Sequence, residues 1–326
     1  MFAGTLFALA AGLLWGLVFV APLLLPQYPP ALLSVGRYLA FGLIALPLAW
    51  LDRKQLAQLT RSDWLEALKL SAVGNLLYYL CLSAAIQRSG APLPTMLIGT
   101  LPVVIALVSM RQNRHVQALV AAPPVIEWRR FLPPLALIAL GIALVNMVEI
   151  KHLLAEQNLD TQRYATGALL AIAAVLCWTW YPLRNAQWLR AHAGRSPRVW
   201  ATAQGVATLP LALAGLALLA LFNVLASKPA AALLGPTPLA FVLAMLVLGL
   251  LASWIGTLCW NEASQRLPTH LAGQLIVFET LAALAYAFVL RGVWPETATL
   301  AGVALLVAGV IWALRAEPTQ NKMQPI

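Results

Sequence analysis

The sequence predicts an all-α polytopic membrane protein: ten transmembrane helices forming two inverted five-helix repeats. Three observations predict it. Hydrophobic residues make up 61% of the 326 and charged residues 10%, with a mean hydropathy of +0.82, an excess no soluble domain of this length carries. Ten apolar stretches are each long enough, at about 20 residues, to cross a hydrocarbon core roughly 30 Å thick as helix. The chain also repeats itself. Gly4 to Trp15 (GTLFALAAGLLW) returns as Gly167 to Trp178 (GALLAIAAVLCW), and AIQRSGAPLPTMLI from Ala85 returns as ASQRLPTHLAGQLI from Ala263. Two matches in one order, at separations of 163 and 178 residues, mark an internal duplication.

The apolar stretches run from about Ala3 to Leu25, Ala31 to Leu51, Trp64 to Ile86, Leu93 to Met110 and Phe131 to Ile150. Five more follow at Tyr164 to Trp188, Trp200 to Ala226, Pro238 to Asn261, Leu271 to Leu290 and Thr297 to Leu314. The first has no basic leader and no small-residue cleavage site, and it is half of the repeat, so it reads as a retained helix and not as a secretory signal. In the fourth, Pro94 and Pro102 predict a break or kink. The alternation of polar and apolar residues that marks an outer-membrane barrel is missing, which favours a helical bundle.

Five helices per half is an odd number, so the second half enters the membrane in the opposite orientation. The repeats span residues 1–150 and 164–315, joined by a polar loop from Lys151 to Arg163. The loops Arg111 to Arg130 and Ser227 to Pro238 are too short for a folded domain. Placing loops alternately on two sides puts fifteen Lys and Arg on one side and five on the other, with Arg37 left inside the membrane. This positive-inside bias makes both termini cytoplasmic. The net charge of +10 is thereby explained by topology and anionic lipid, without nucleic acid. Cys81, Cys177 and Cys259 lie within predicted helices in no ligand-like spacing, so neither disulfides nor metal sites are expected, and no cofactor is implied.

Several passages carry a resemblance. AAGLLWGLVF in the first helix, GRYLAF with Arg37 in the second, AIQRSGAPLPTMLIGTLPVVIAL into the fourth and QLIVFETLAALAYAF in the ninth resemble EamA-type members of the drug/metabolite transporter superfamily. The ten-helix arrangement matches as well, over essentially the whole chain. The resemblance implies a multi-pass transporter of the cell (inner) membrane, commonly exporting small metabolites such as amino acids. The chain departs from the family where a ninth-helix acid is often followed by proline: Glu279 precedes Thr280, and the repeat mate of Glu279 is Leu101, ahead of Pro102.

Ionisable groups inside a membrane are functional hypotheses by default, and two lie well inside a span. Glu279 reads as a proton or cation site coupling transport, and Arg37 as an anchor for a substrate carboxylate; the alternatives are structural pairing and, for Arg37, snorkelling to the surface. Asn75, Tyr78 and Tyr79 at i, i+3, i+4 share a face that suits a solute cavity. Trp15 and Trp178 sit too deep for interfacial anchors and are expected to line the pathway, with Trp180, Tyr181 and Pro182 extending the cluster. In the ninth helix His270, Gln274 and Phe278 recur on one face, Gln274 being the deeper cavity candidate. Ser253, Trp254, Thr257 and Asn261 form a polar face of the eighth, and Gly99, Gly256 and Gly273 allow close helix approach.

A nucleotide-binding GxxxxGK[ST] loop is absent, so solute or ion gradients must drive any transport. The four histidines (His115, His152, His192 and His270) form no HxxxH or HExxH pair, and paired intramembrane carboxylates are missing. An intramembrane enzyme is therefore disfavoured, as is an ion pore lined by charged rings. The expected partners are a small-molecule substrate, the lipid bilayer and a proton.

Overall fold

A computed structural model of the chain describes residues 2–90, 92–102, 104–105, 108, 128–155, 160–227, 234–292 and 294–316. Among the described residues there is helix and no strand, as the absence of water in a bilayer requires, since each helix satisfies its own backbone. Helix α1 (Phe2–Leu24) tightens to a 3-10 turn at Leu17–Phe19 just ahead of Pro22, which cannot donate an amide hydrogen. Helix α2 is Pro30–Leu51. Helix α3 (Arg61–Ser89) starts on a capping box in which Thr60 and Asp63 exchange hydrogen bonds, and it ends at Gly90, whose φ of 78° favours glycine. Helices α4 (Pro92–Gly99), α5 (Trp128–Ala155), α6 (Thr161–Ala191) and α7 (Pro197–Leu225) follow. Then come α8 (Pro238–Arg266), α9 in two segments (Thr269–Leu275 and Val277–Arg291) and α10 (Thr297–Ala316).

Seven of these stretches are long and apolar enough to cross a membrane: α1, α2, α3, α6, α7, α8 and Leu271–Leu290 of α9. Two shorter apolar helices, Leu132–Leu144 and Thr297–Gly309, lie in α5 and α10. The joining loop expected from Lys151 is corrected, because α5 continues helical to Ala155 and α6 resumes at Thr161, capped by the Asp160 side chain. Residues 156–159, 111–127 and 228–233, which hold the rest of the expected loops and Arg111, Arg114, His115 and Lys228, lie outside the described residues. In α4 the helix stops at Gly99, with a turn at Thr100 ahead of Pro102.

Two helices depart from α geometry at matching places. Ser71–Leu77 of α3 and Leu248–Ile255 of α8 are π-helical, a wider winding that concentrates at functional sites. Without a hydrophobic drive between helices in lipid, close van der Waals packing holds the bundle. Gly12 and Gly16 of α1 are what lets α9 approach: a Cβ at Gly16 would stand 2.6 Å from Ala282 Cβ and 2.9 Å from the Ala283 backbone nitrogen. The strongest packing pairs are α5 with α10, α2 with α7, α3 with α6, α1 with α8 and α1 with α9. Of the three expected close-approach glycines, Gly256 and Gly273 abut Trp15 and Ile105 at 2.7 and 2.6 Å from a built Cβ, whereas Gly99 has ordinary room at 3.4 Å.

Candidate functional site

Helices α1, α2, α3, α6, α8 and α9 enclose a central cavity. Trp15, Arg37, Asn75, Tyr78, Trp178 and Glu279 line it, together with Tyr38, Tyr181, Ser253 and Thr257. Six of the eight sequence-predicted site residues therefore meet in one place. Tyr79 and Gln274 do not line it. Tyr79 stands behind the wall, its ring 4.6 Å from the Arg37 guanidinium. Gln274 is buried in the first segment of α9, which breaks at Ile276 before Glu279.

Arg37 does not snorkel: it is 4% exposed. Its Nε donates to Ser253 Oγ at 3.0 Å, and Tyr38 and Tyr79 flank the guanidinium at 4.8 and 4.6 Å, a cation–π arrangement that replaces part of the lost hydration. Nη1 meets no partner among the described residues. Glu279 is 1% exposed and accepts hydrogen bonds from Trp178 Nε1 at 3.1 Å and Tyr78 OH at 3.3 Å. Among the described residues the cation and the carboxyl make no ion pair. Both are held by neutral groups with part of their hydrogen-bonding capacity open to the cavity, an arrangement costly to keep inside a bilayer.

The walls are aromatic. Tyr78 stacks on Trp178 at 4.5 Å and Trp178 on Tyr181 at 5.1 Å, with Trp15 edge-on to Trp178 at 4.8 Å. Trp15 Nε1 donates to the carbonyl of Ala252 at 2.9 Å, inside the π turn of α8. Trp180 is exposed and takes no part, which corrects the expected extension of the cluster; Tyr181 supplies it alone with Pro182 buried beside it. On α8, Ser253 and Thr257 face the cavity, while Trp254 turns to Thr202 of α7 and Asn261 to Asn185 of α6. The side chain of His270 lies outside the described residues.

The family model for the EamA-like transporter family matches residues 2–112. The chain is 51% identical to the inner membrane protein YtfF of Escherichia coli (strain K12) over 324 residues, 98% of this chain and 97% of that protein. This chain belongs to the EamA-like transporter family. It is thus a membrane transporter and not an enzyme. A solved crystal structure shares 21% identity and superposes with a TM-score of 0.66 over 96% of this chain and 98% of the other, a likeness of fold.

In this transporter the cavity is shut at both mouths. It has room for about one water molecule, so a metabolite enters only when helices part. The basic end, where α2, α6 and α8 finish and α3 and α7 begin, is closed by charge. Arg184 pairs Glu66 through two hydrogen bonds of 2.5 and 3.1 Å, Arg198 pairs Asp52, and Trp188 donates to Asp63 at 3.0 Å while stacking on Trp200. The opposite end is closed by neutral groups: Tyr28 stacks on Phe241 at 4.8 Å, donates to the Leu234 carbonyl and accepts from the Thr237 amide, both at 2.9 Å. Neither closure was picked out from sequence. The acids at Asp52, Asp63 and Glu66 each stand near an apolar segment's end and look like surface charge until α6 and α7 are brought beside them.

Proposed function

We propose that the protein is a secondary transporter of the inner membrane that exports small metabolites such as amino acids by alternating access of two inverted five-helix halves, residues 1–150 and 164–315. Ten helices cross the membrane in this reading, with both termini and the basic end cytoplasmic. The observation that carries it is the closed aromatic cavity holding a buried arginine and a buried glutamate that do not pair. Arg37 anchors a substrate carboxylate, the rings of Trp15, Tyr78 and Trp178 take its apolar part, and Asn75 orients it. Glu279 exchanges a proton as the cavity changes sides.

The inverted repeat is supported by packing. Exchanging each helix for the one five places on leaves the main contacts unchanged: α3 with α6 becomes α8 with α1, α1 with α9 becomes α6 with α4, and α2–α7 and α5–α10 map onto themselves. Repeat mates also do the same work, since Gln87 donates to the Tyr28 carbonyl at 2.8 Å and Gln265 to the Arg195 carbonyl at 3.1 Å. The inner-membrane placement is supported by the 51% identity to an inner membrane protein of Escherichia coli.

Flux tests the reading. In proteoliposomes loaded with an amino-acid panel, an imposed pH gradient is expected to drive efflux, and Glu279→Gln, which keeps shape but cannot titrate, is expected to lose gradient-driven flux while retaining solute exchange. Flux that ignores the gradient in both proteins points to a facilitative permease with a structural Glu279. No flux of any amino acid sinks that substrate class.

A further inference from the structure

Gln274 is the buried polar group that the central cavity leaves unexplained. It is 1% exposed, yet neither its amide nitrogen nor its oxygen meets a partner among the described residues. Leaving a buried amide unpaired costs the desolvation of both groups, and an apolar residue of similar shape would avoid that cost. Trp260 Nε1 and Ser264 Oγ of α8 are likewise buried and unpaired, and, four residues apart, they share a helix face.

Helix register places the three along one stretch of α1, between Gly4 and Trp15. Helix α8 lies against α1 with Arg266 and Leu267 at Gly4, and with the Trp260 ring 5.2 Å from that of Trp15. Helix α9 lies against α1 with Phe278 at Gly12 and Ala282 at Gly16; four residues earlier, Gln274 falls at the level of Ala8. Between Gly4 and Trp15 the buried side chains of α1 are those of Ala8 and Ala11, single methyl groups. The unpaired groups therefore gather around the narrowest stretch of α1, between the central cavity and the basic end.

We propose that Gln274, Trp260 and Ser264 form a second subsite on the pathway, which takes an uncharged group that both donates and accepts hydrogen bonds, such as a carboxamide or hydroxyl of the solute. The inference rests on the transport reading. The amide of Gln274 offers both roles, the indole N–H donates, and the hydroxyl does either. Glu279, the acid on the same helix, is engaged by Trp178 and Tyr78, so the subsite suits a neutral group. With the basic end cytoplasmic, an exported solute meets it before the central cavity.

The test compares wild type with Gln274→Leu in the purified full chain, by thermal unfolding alone and with L-glutamine, L-asparagine, L-serine, L-leucine or L-norvaline. Without solute the variant is expected to melt at the wild-type temperature or a few degrees above it; a drop of several degrees shows an amide satisfied within the fold and overturns the subsite. With solute, glutamine, asparagine and serine are expected to stabilise wild type more than the two apolar amino acids do at equal concentration, and Gln274→Leu to erase that surplus. A surplus that survives the substitution also overturns it. Ser264→Ala, which removes one oxygen, is expected to behave like Gln274→Leu at smaller amplitude. If no amino acid stabilises wild type, the proposed substrate class fails, and the subsite stands or falls on the solute-free melting temperatures.

Discussion

Tyr78 shows how one residue serves both electrostatics and packing. Its hydroxyl donates to Glu279 at 3.3 Å while its ring stacks on Trp178, itself a donor to the same carboxyl. Under the proposed duplication its mate is Gly256, where a Cβ would stand 2.7 Å from Trp15 Nε1. One half of that duplication would contribute a ring and the other the space for a ring, which would make the cavity lopsided. Removing a stacked ring forfeits about 0.5–1.5 kcal/mol beyond its area and also strips Glu279 of a donor. Tyr78→Ala is therefore expected to weaken binding of a transported solute severalfold or more, measured by titration of the purified protein, and Tyr78→Phe to lose less. Wild-type affinity in Tyr78→Ala would remove the aromatic wall from the binding site.

At the scale of elements, the positions of helices and the break in α4 were legible in the sequence, and the changes of winding elsewhere were not. Hydropathy locates α1 to α3 and α6 to α9 because apolar length is what a bilayer demands of a helix. It is blind to winding. The π turns in α3 and α8 and the break at Ile276 in α9 leave composition untouched but change which face a side chain occupies. Asn75 and Tyr78 line the cavity, whereas Tyr79 and Gln274, expected beside them, lie outside it. The deep charges and tryptophans were legible for the opposite reason, since their cost in a membrane needs no geometry to be seen. Close packing gives a test at this scale. The Cβ clash at Gly16 is partly against backbone, which cannot swing aside, so Gly16→Val must push α9 off α1. Overpacking of this kind costs about 1–3 kcal/mol, and a lower melting temperature with reduced solute binding is expected; unchanged melting would mean that α1 and α9 do not pack as described.

The whole molecule closes its two mouths by different means, and topology decides what each mouth faces. Ion pairs at the basic end join α3 to α6 and α2 to α7, whereas stacking and neutral hydrogen bonds hold the opposite end. In the proposed orientation, which keeps Lys and Arg on the cytoplasmic side of short loops, the ion-paired mouth is the one that an exported solute opens first. Orientation is therefore part of the mechanism, and it is measurable at two exposed positions. Asp160 stands at the start of α6 on the opposite end, and Gln58 precedes α3 at the basic end. Cys81 and Cys177 are buried and Cys259 is half-buried, so all three are replaced by serine or alanine before labelling. In intact cells Asp160→Cys is expected to react with a membrane-impermeant maleimide, and Gln58→Cys only after permeabilisation. The reverse pattern would turn the molecule over, making the charged mouth the outer gate and an importer the better reading. Labelling of both positions from one side would require an odd number of spans between them to become even, and would dismantle the inverted five-plus-five arrangement.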